Sequence, residues 1–74
     1  MTRRQGLGDR WLAGDPIEGI RFAHHATVEI SGGSLDGRRG TIVLLLAATP
    51  EPVYLVAVAE GGDVRIRQSA LRAT

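Results

Sequence analysis

The residues of this 74-residue chain best suited to chemistry are arginines, and they fall into two groups. Arg38 and Arg39 are adjacent. Arg65 and Arg67 are two positions apart, and Arg72 follows five positions later. A guanidinium group donates forked hydrogen bonds that match phosphate oxygens. Residues two apart on a strand share one face. These five arginines are therefore the candidates for binding nucleic acid.

Each arginine group also has an interpretation without nucleic acid. The first pair would offset nearby carboxylates on a solvated turn, and the second would line the solvent face of a strand whose Val64 and Ile66 are core. No aromatic side chain lies near either group in the sequence to stack on a base. The net charge of +1 is too small to imply such a partner by itself. Both interpretations stay open.

Neither metal nor covalent chemistry is indicated. His24 and His25 are the only histidines and there is no cysteine, whereas a catalytic zinc needs three protein ligands. Adjacent residues on a strand point to opposite faces, so we expect the two histidines to diverge. No nucleophile motif surrounds Ser34 or Ser69. We therefore predict no enzyme activity, no metal and no cofactor.

Length and composition restrict the class of protein. The chain has room for one domain, and the lack of cysteine excludes disulfides and fits a reducing compartment. Residues 1–6 are basic but lead into no apolar stretch, so they do not form a secretory signal. The longest apolar run, 42–48, is too short to cross a membrane. These features predict a soluble, cytoplasmic protein.

Short apolar segments separated by turn residues predict an all-β fold. Residues 68–71 resemble the short 3₁₀ turn that closes SH3-like barrels, which implies that Leu71 plugs one end. Residues 1–8 are predicted to be disordered, and residues 9–23 to form an irregular, largely extended arm that packs Trp11 and Phe22 onto the sheet. The predicted strands cover residues 26–31, 41–48, 53–59 and 64–67.

The loop between the first two strands carries a spaced set of glycines. Val28 and Ile30 precede it, Ile42 follows it, and the glycines are Gly33, Gly37 and Gly40. This pattern, over about residues 26–45, resembles the KOW element of small SH3-like β-barrels, known from large-subunit ribosomal proteins and transcription elongation factors. The resemblance implies a partly open, five-stranded SH3-like barrel over 24–74, with an N-terminal extension over 1–23.

The resemblance also implies a function. It suggests a non-catalytic adaptor that contacts RNA, or a ribosome- or polymerase-associated protein, through the Arg38–Arg39 loop and the strand with Arg65 and Arg67. Members that bind nucleic acid often carry Lys or Arg just before the second glycine. This chain has Asp36 there, and a carboxylate repels phosphate.

The hairpin over 41–59 is apolar on both faces and suggests an alternative function. Strict alternation places Ile42, Leu44 and Leu46 on one face. The second face would need a cover: the N-terminal arm, a second copy of the chain or another protein. The alternative is therefore a protein–protein or homodimerisation module that uses no nucleic acid. Its interface candidates are Val43, Leu45, Val53 and Leu55.

Overall fold

The fold is a single antiparallel sheet with a short helix ahead of it. The computed structural model describes residues 7–59 and 61–74. Its helix α1 is Leu7–Leu12, its strands are β1 Thr27–Ile30, β2 Arg39–Ala47, β3 Val53–Val58, β4 Gly62–Arg67 and β5 Leu71–Ala73, and its 3₁₀ turns are Gly33–Leu35 and Gln68–Ala70. The strands lie in the order β4-β3-β2-β1-β5. The prediction of an all-β fold is confirmed.

The connection between β4 and β5 forces the sheet to curl. These strands lie at opposite ends of the order, and a flat five-stranded sheet would hold them about 19 Å apart. The link from Arg67 to Leu71 reaches at most about 14 Å even when fully extended, and its three middle residues form a compact 3₁₀ turn. The two edge strands are not paired with each other in the described part of the chain. The predicted partly open five-stranded arrangement is therefore confirmed.

Two register shifts interrupt the alternation of β2. One lies between Ile42 and Leu44, and the other between Leu45 and Ala47. Each shift inserts an extra residue into one strand, which reverses the face that later side chains occupy. We call the side of the sheet that carries Ile42 the inner face and the opposite side the outer face. The leucines of β2 therefore do not lie on the faces where strict alternation would place them.

The register therefore corrects the predicted grouping of Val43, Leu45, Val53 and Leu55 on one face. Residues paired directly across a sheet share a face. Leu45 is paired with Tyr54 and packs against the core, so it lies on the inner face. Leu44 is paired with Leu55 and lies on the outer face. The grouping is wrong for Leu45 because a strict period of two cannot anticipate a bulge.

The core lies on the inner face and includes side chains from the arm. Trp11 and Phe22 are buried, and the rings of both lie near that of Tyr54, with centroids 6.4 and 5.7 Å away. The predicted packing of these two arm residues on the sheet is confirmed. The buried set is Trp11, Phe22, Val28, Ile30, Ile42, Tyr54, Val56, Val58 and Leu71.

The start of the arm differs from the prediction. Helix α1 begins at Leu7, so Leu7 and Gly8 are helical although disorder was predicted there. The helix places Trp11 in the core, where its indole Nε1 donates a hydrogen bond of 2.7 Å to the carbonyl oxygen of Phe22. That buried contact fixes the helix to the rest of the arm. The prediction of disorder for residues 1–6 lies outside the described residues.

Gln68 fastens the arm to the sheet. Its Oε1 accepts hydrogen bonds from the Tyr54 hydroxyl at 2.5 Å and from the Arg21 backbone N–H at 2.9 Å. Its Nε2 donates to the carbonyl oxygen of Gly19 at 3.0 Å. Burial raises the pKa of Tyr54 above its ordinary value, so the hydroxyl stays protonated as a donor. The side-chain amide of Gln68 therefore links the arm and strand β3 to the 3₁₀ turn that connects β4 with β5.

The three loop glycines are needed for two different reasons. Gly33 and Gly37 have φ values of +73° and +83°, which side chains with a Cβ rarely adopt. Gly40 lies in β2, where a Cβ would be 2.6 Å from Val56 Cγ1 and 2.8 Å from the Ala57 carbonyl oxygen. The first two therefore shape the loop, and the third allows β3 to approach closely.

Replacing Gly40 with alanine should destabilise the fold. The added methyl group meets a backbone oxygen that can move only if the sheet moves, so we expect a loss of about 1–3 kcal/mol in the free energy of unfolding. Gly8→Ala is the matched control because nothing lies within 4 Å of its Cβ position. Urea denaturation followed by the fluorescence of Trp11, the only tryptophan, measures both. Equal stabilities of the two variants would contradict the register.

Leu44 and Leu45 form a matched pair for testing the bulge. Leu45→Asp should lower the free energy of unfolding by about 2 kcal/mol or more, because it places a carboxylate against the core. Leu44→Asp, on the outer face, should change it by no more than about 0.5 kcal/mol. The same denaturation assay measures both variants. A greater loss for Leu44→Asp would mean that the faces are assigned the wrong way round.

Candidate functional site

The outer face of β2, β3 and β4 is apolar in its middle. Leu44 lies opposite Leu55, and Ala47 lies opposite Val53. Leu44 is 40% exposed on this face, and Leu46, two residues along the same strand, is 44% exposed. The arm does not cover this region, because its aromatic residues pack on the inner face with Tyr54. The predicted apolar second face therefore exists, with Leu44 in the place expected for Leu45.

Strand β4 borders this apolar region with charge. Arg65 is paired with Leu55 and Arg67 with Val53, so both arginines extend the outer face. Both are exposed, whereas Val64 and Ile66 are half-buried against the core. The prediction that the two arginines share the solvent face of a strand is confirmed. Guanidinium groups next to aliphatic side chains are typical of protein interfaces.

A second basic group lies at the other end of the sheet. Glu29 in β1 is paired with Arg39 on one side and with Arg72 on the other. Residues paired directly across a sheet share a face, so Glu29 lies on the same face as both arginines. The Arg72 Nη2 also donates to the Ser31 hydroxyl at 3.3 Å. This group is an internal charge cluster as much as an open cationic surface.

The two arginine groups do not form one patch. Arg39 and Leu44 are five positions apart on β2, and Leu44 is two strands away from Arg65. Strand geometry therefore places about 15–20 Å of sheet surface between Arg39 and Arg65. The surface between them includes the apolar side chains of the outer face.

The loop with Arg38 is shaped from within. The Asp36 Oδ1 accepts a hydrogen bond of 2.6 Å from the Gly32 backbone N–H, and the Gly37 N–H donates to the Ile30 carbonyl oxygen at 2.7 Å. Arg38 is exposed at the end of this loop. The carboxylate expected to repel phosphate therefore also holds the turn in shape.

Tryptophan, tyrosine and phenylalanine, the usual stacking platforms, are absent from the surface of the described residues. The chain has one Trp, one Tyr and one Phe, and Trp11, Tyr54 and Phe22 are all buried. Proteins that bind single-stranded nucleic acid commonly stack bases on exposed aromatic rings. The site therefore offers guanidinium groups without the accompanying stacking platform.

The two histidines lie together, contrary to the prediction. Their ring centroids are 3.7 Å apart, and the ring of His24 also lies 5.4 Å from that of Trp11. One histidine was expected to be inside or half-buried and the other outside, and this is confirmed, since His24 is half-buried and His25 is exposed. The expectation that they point to opposite faces of a strand is wrong because they form a turn ahead of β1, with His25 at a φ of +72°. The two imidazole rings stack on each other, and that of His24 meets the arm tryptophan at a tilted angle of 56°, which gives the pair a structural role.

Hydrogen bonds hold the loop between β2 and β3 against the 3₁₀ turn that connects β4 with β5. The Ser69 backbone N–H donates to Glu51 Oε2 at 2.7 Å, and the Gln68 N–H donates to the Pro52 carbonyl oxygen at 2.8 Å. Hydrogen bonding from Ser69 lowers the pKa of Glu51 below its ordinary value. This end of the apolar hairpin is therefore fixed in place relative to β4.

Comparison with known proteins leaves the chain without an identified relative. No family model, no curated protein and no solved structure matches it. In the described part of the chain, no helix is long and apolar enough to cross a membrane. The resemblance to the KOW element therefore stays a prediction, and the function has to be argued from the chemistry of the site.

Proposed function

We propose that this chain is a non-catalytic protein-binding module that docks its partner on the outer face of β2, β3 and β4. The observation that carries the proposal is the apolar cross-strand pair of Leu44, 40% exposed, and Leu55 on the outer face, with the exposed Leu46 close by in β2. Leu55 and Val53 continue the same apolar surface on the neighbouring strand, directly opposite Leu44 and Ala47. A sheet with one wet face normally carries polar residues there.

Burial of this surface by a partner would recover free energy that the isolated chain forgoes. Full burial of a leucine side chain contributes roughly 1.5–3 kcal/mol, which is a large fraction of the stability of a small domain. The arginines beside this apolar surface also favour the binding of a protein. Arg65 and Arg67 lie beside the apolar residues, and arginine is enriched among the side chains that dominate binding energy in protein interfaces.

Position-specific crosslinking tests this role. A photo-reactive phenylalanine analogue placed at Leu44 in the full chain, expressed in its native host, should capture a defined protein or a second copy. The same group at Ser34, in an exposed turn outside the outer face, is the matched control and should not. Leu55→Asp should reduce capture from position 44 by about tenfold or more, because it places a charge within the apolar contact. Equal capture from both positions would contradict the proposal.

RNA binding is the second candidate, and the loop geometry favours it. Gly33 and Gly37 adopt the left-handed conformations that a KOW-type reversal requires, and Arg38 and Arg39 follow at the end of the loop. The candidate ranks lower for two reasons. Glu29, an acidic residue, is the cross-strand neighbour of both Arg39 and Arg72, and Trp11, Phe22 and Tyr54 are all buried.

A salt titration with labelled RNA decides this second role. A surface that contacts phosphates must lose affinity as salt rises, with a slope of about 0.7 per neutralised phosphate on a single strand. Replacing Arg38 and Arg39 with glutamine should lower the slope by about one to two contacts. Gln substitution of Arg10, on helix α1, is the control and should leave it unchanged. No binding at low salt would exclude RNA as the partner.

A further inference from the structure

Strand β4 has a free edge. It is the last strand in the sheet order, and within residues 7–59 and 61–74 it pairs only with β3. An edge strand presents backbone N–H and C=O groups that can pair with another chain, and proteins commonly guard such edges with charges. The charges on β4 are of both signs, since Asp63 and Arg65 are neighbours on its outer face. This edge therefore does not carry the like charges that would repel a second copy of itself.

We propose that two copies of this chain pair antiparallel through β4, with Val64 opposite the partner's Val64. This register places Asp63 opposite the partner's Arg65, and the two-fold axis repeats the same contact. Directly opposite positions share a face, so both ion pairs lie on the outer side of the joined sheet. The contact is distinct from the outer-face docking proposed above and stands without it.

Alternative pairings are less favourable by charge. Centring the pair on Arg65 would place two guanidinium groups directly opposite each other, which is destabilising. The other edge of the sheet, β5, has only three residues, and its only charge is on Arg72. Pairing β5 with itself about Arg72 would again oppose like charges. The register centred on Arg65 also forms two Asp63–Arg67 pairs, so of these three arrangements only the register centred on Val64 forms ion pairs without placing like charges opposite each other.

The inner side of β4 also fits this register. Val64 and Ile66 are half-buried, so the edge retains apolar surface that a second strand would cover. Ile66 lines a cleft of about 210 Å³ together with Ile30, Leu35 and Ala70. In the proposed register Ile66 lies opposite the partner's Gly62. Glycine has no side chain, so Ile66 keeps its place in the cleft.

The joined sheet would carry both outer faces on the same side. The two-fold axis runs perpendicular to the plane of the joined sheet, between the two β4 strands, so it keeps the outer faces of both copies on the same side. Five strands from each copy would then form one continuous surface, with Leu44 and Leu55 present twice. A partner that binds the outer face would be held at two points, which raises its avidity.

Sedimentation equilibrium of the full chain, from micromolar to millimolar concentration, tests the pairing through a charge swap. Asp63→Arg and Arg65→Asp should each weaken dimerisation by about tenfold, since each replaces both ion pairs with like charges. The double variant should restore the wild-type constant to within about threefold, because it reinstates both pairs in reverse. Arg10→Asp, an exposed position on helix α1 outside both proposed contacts, is the control with the same change of charge and should leave dimerisation unchanged.

A second measurement guards against misfolding of a variant. In a mixture of differently labelled wild-type copies, an NMR contact between the Val64 methyl groups of the two copies is expected. A monomer at every concentration would overturn the inference. So would a dimer that both single variants leave intact. A dimer lost in Leu55→Asp but intact in the charge variants would place the contact on the outer face, which supports the proposed docking surface and overturns the pairing of β4.

Discussion

The chain must pass from one edge of its sheet to the other within the short turn Gln68–Ala70. This constraint curls the sheet, because the edges of a flat one would be too far apart. A curled sheet encloses its inner face, and the five strands alone do not fill that space. The arm supplies Trp11 and Phe22, and Gln68, in the turn itself, holds the arm to Tyr54. The curl of the sheet and the anchoring of the arm therefore both depend on the turn Gln68–Ala70.

The curl also explains the irregular course of β2. This strand pairs with β1 through Arg39–Thr41 and with β3 along most of its length, so it must bend between the two. Bulges increase local twist and bend a strand, and β2 has a register shift on each side of Leu44 and Leu45. The bulges also change the face on which the side chains that follow them lie. Leu44 is turned outward beside Leu55, which creates the exposed apolar surface that we propose as the docking site.

The charges follow the same geometry. Arg65 and Arg67 border the apolar surface because β4 lies next to β3, whereas Arg39 and Arg72 meet at Glu29 because β1 lies between β2 and β5. Arginines that form one basic set in the sequence are thus divided between two environments. This division favours protein binding over RNA binding as the proposed function, because it leaves no single cationic surface.

The sequence by itself determined the all-β class, the approximate segments of the first four strands and the shared face of Arg65 and Arg67. Each follows from short-range preferences, such as alternation in a strand or the conformational freedom of Gly33 and Gly37. The turn after Arg67 was expected from the resemblance to SH3-like barrels, and the strand Leu71–Ala73 beyond it was not predicted. Only the tertiary structure decided which leucine faces outward, why Gly40 must lack a side chain and how the ring of His24 meets that of Trp11. These outcomes depend on bulges and on contacts between residues distant in the sequence, and a local pattern carries no information about either.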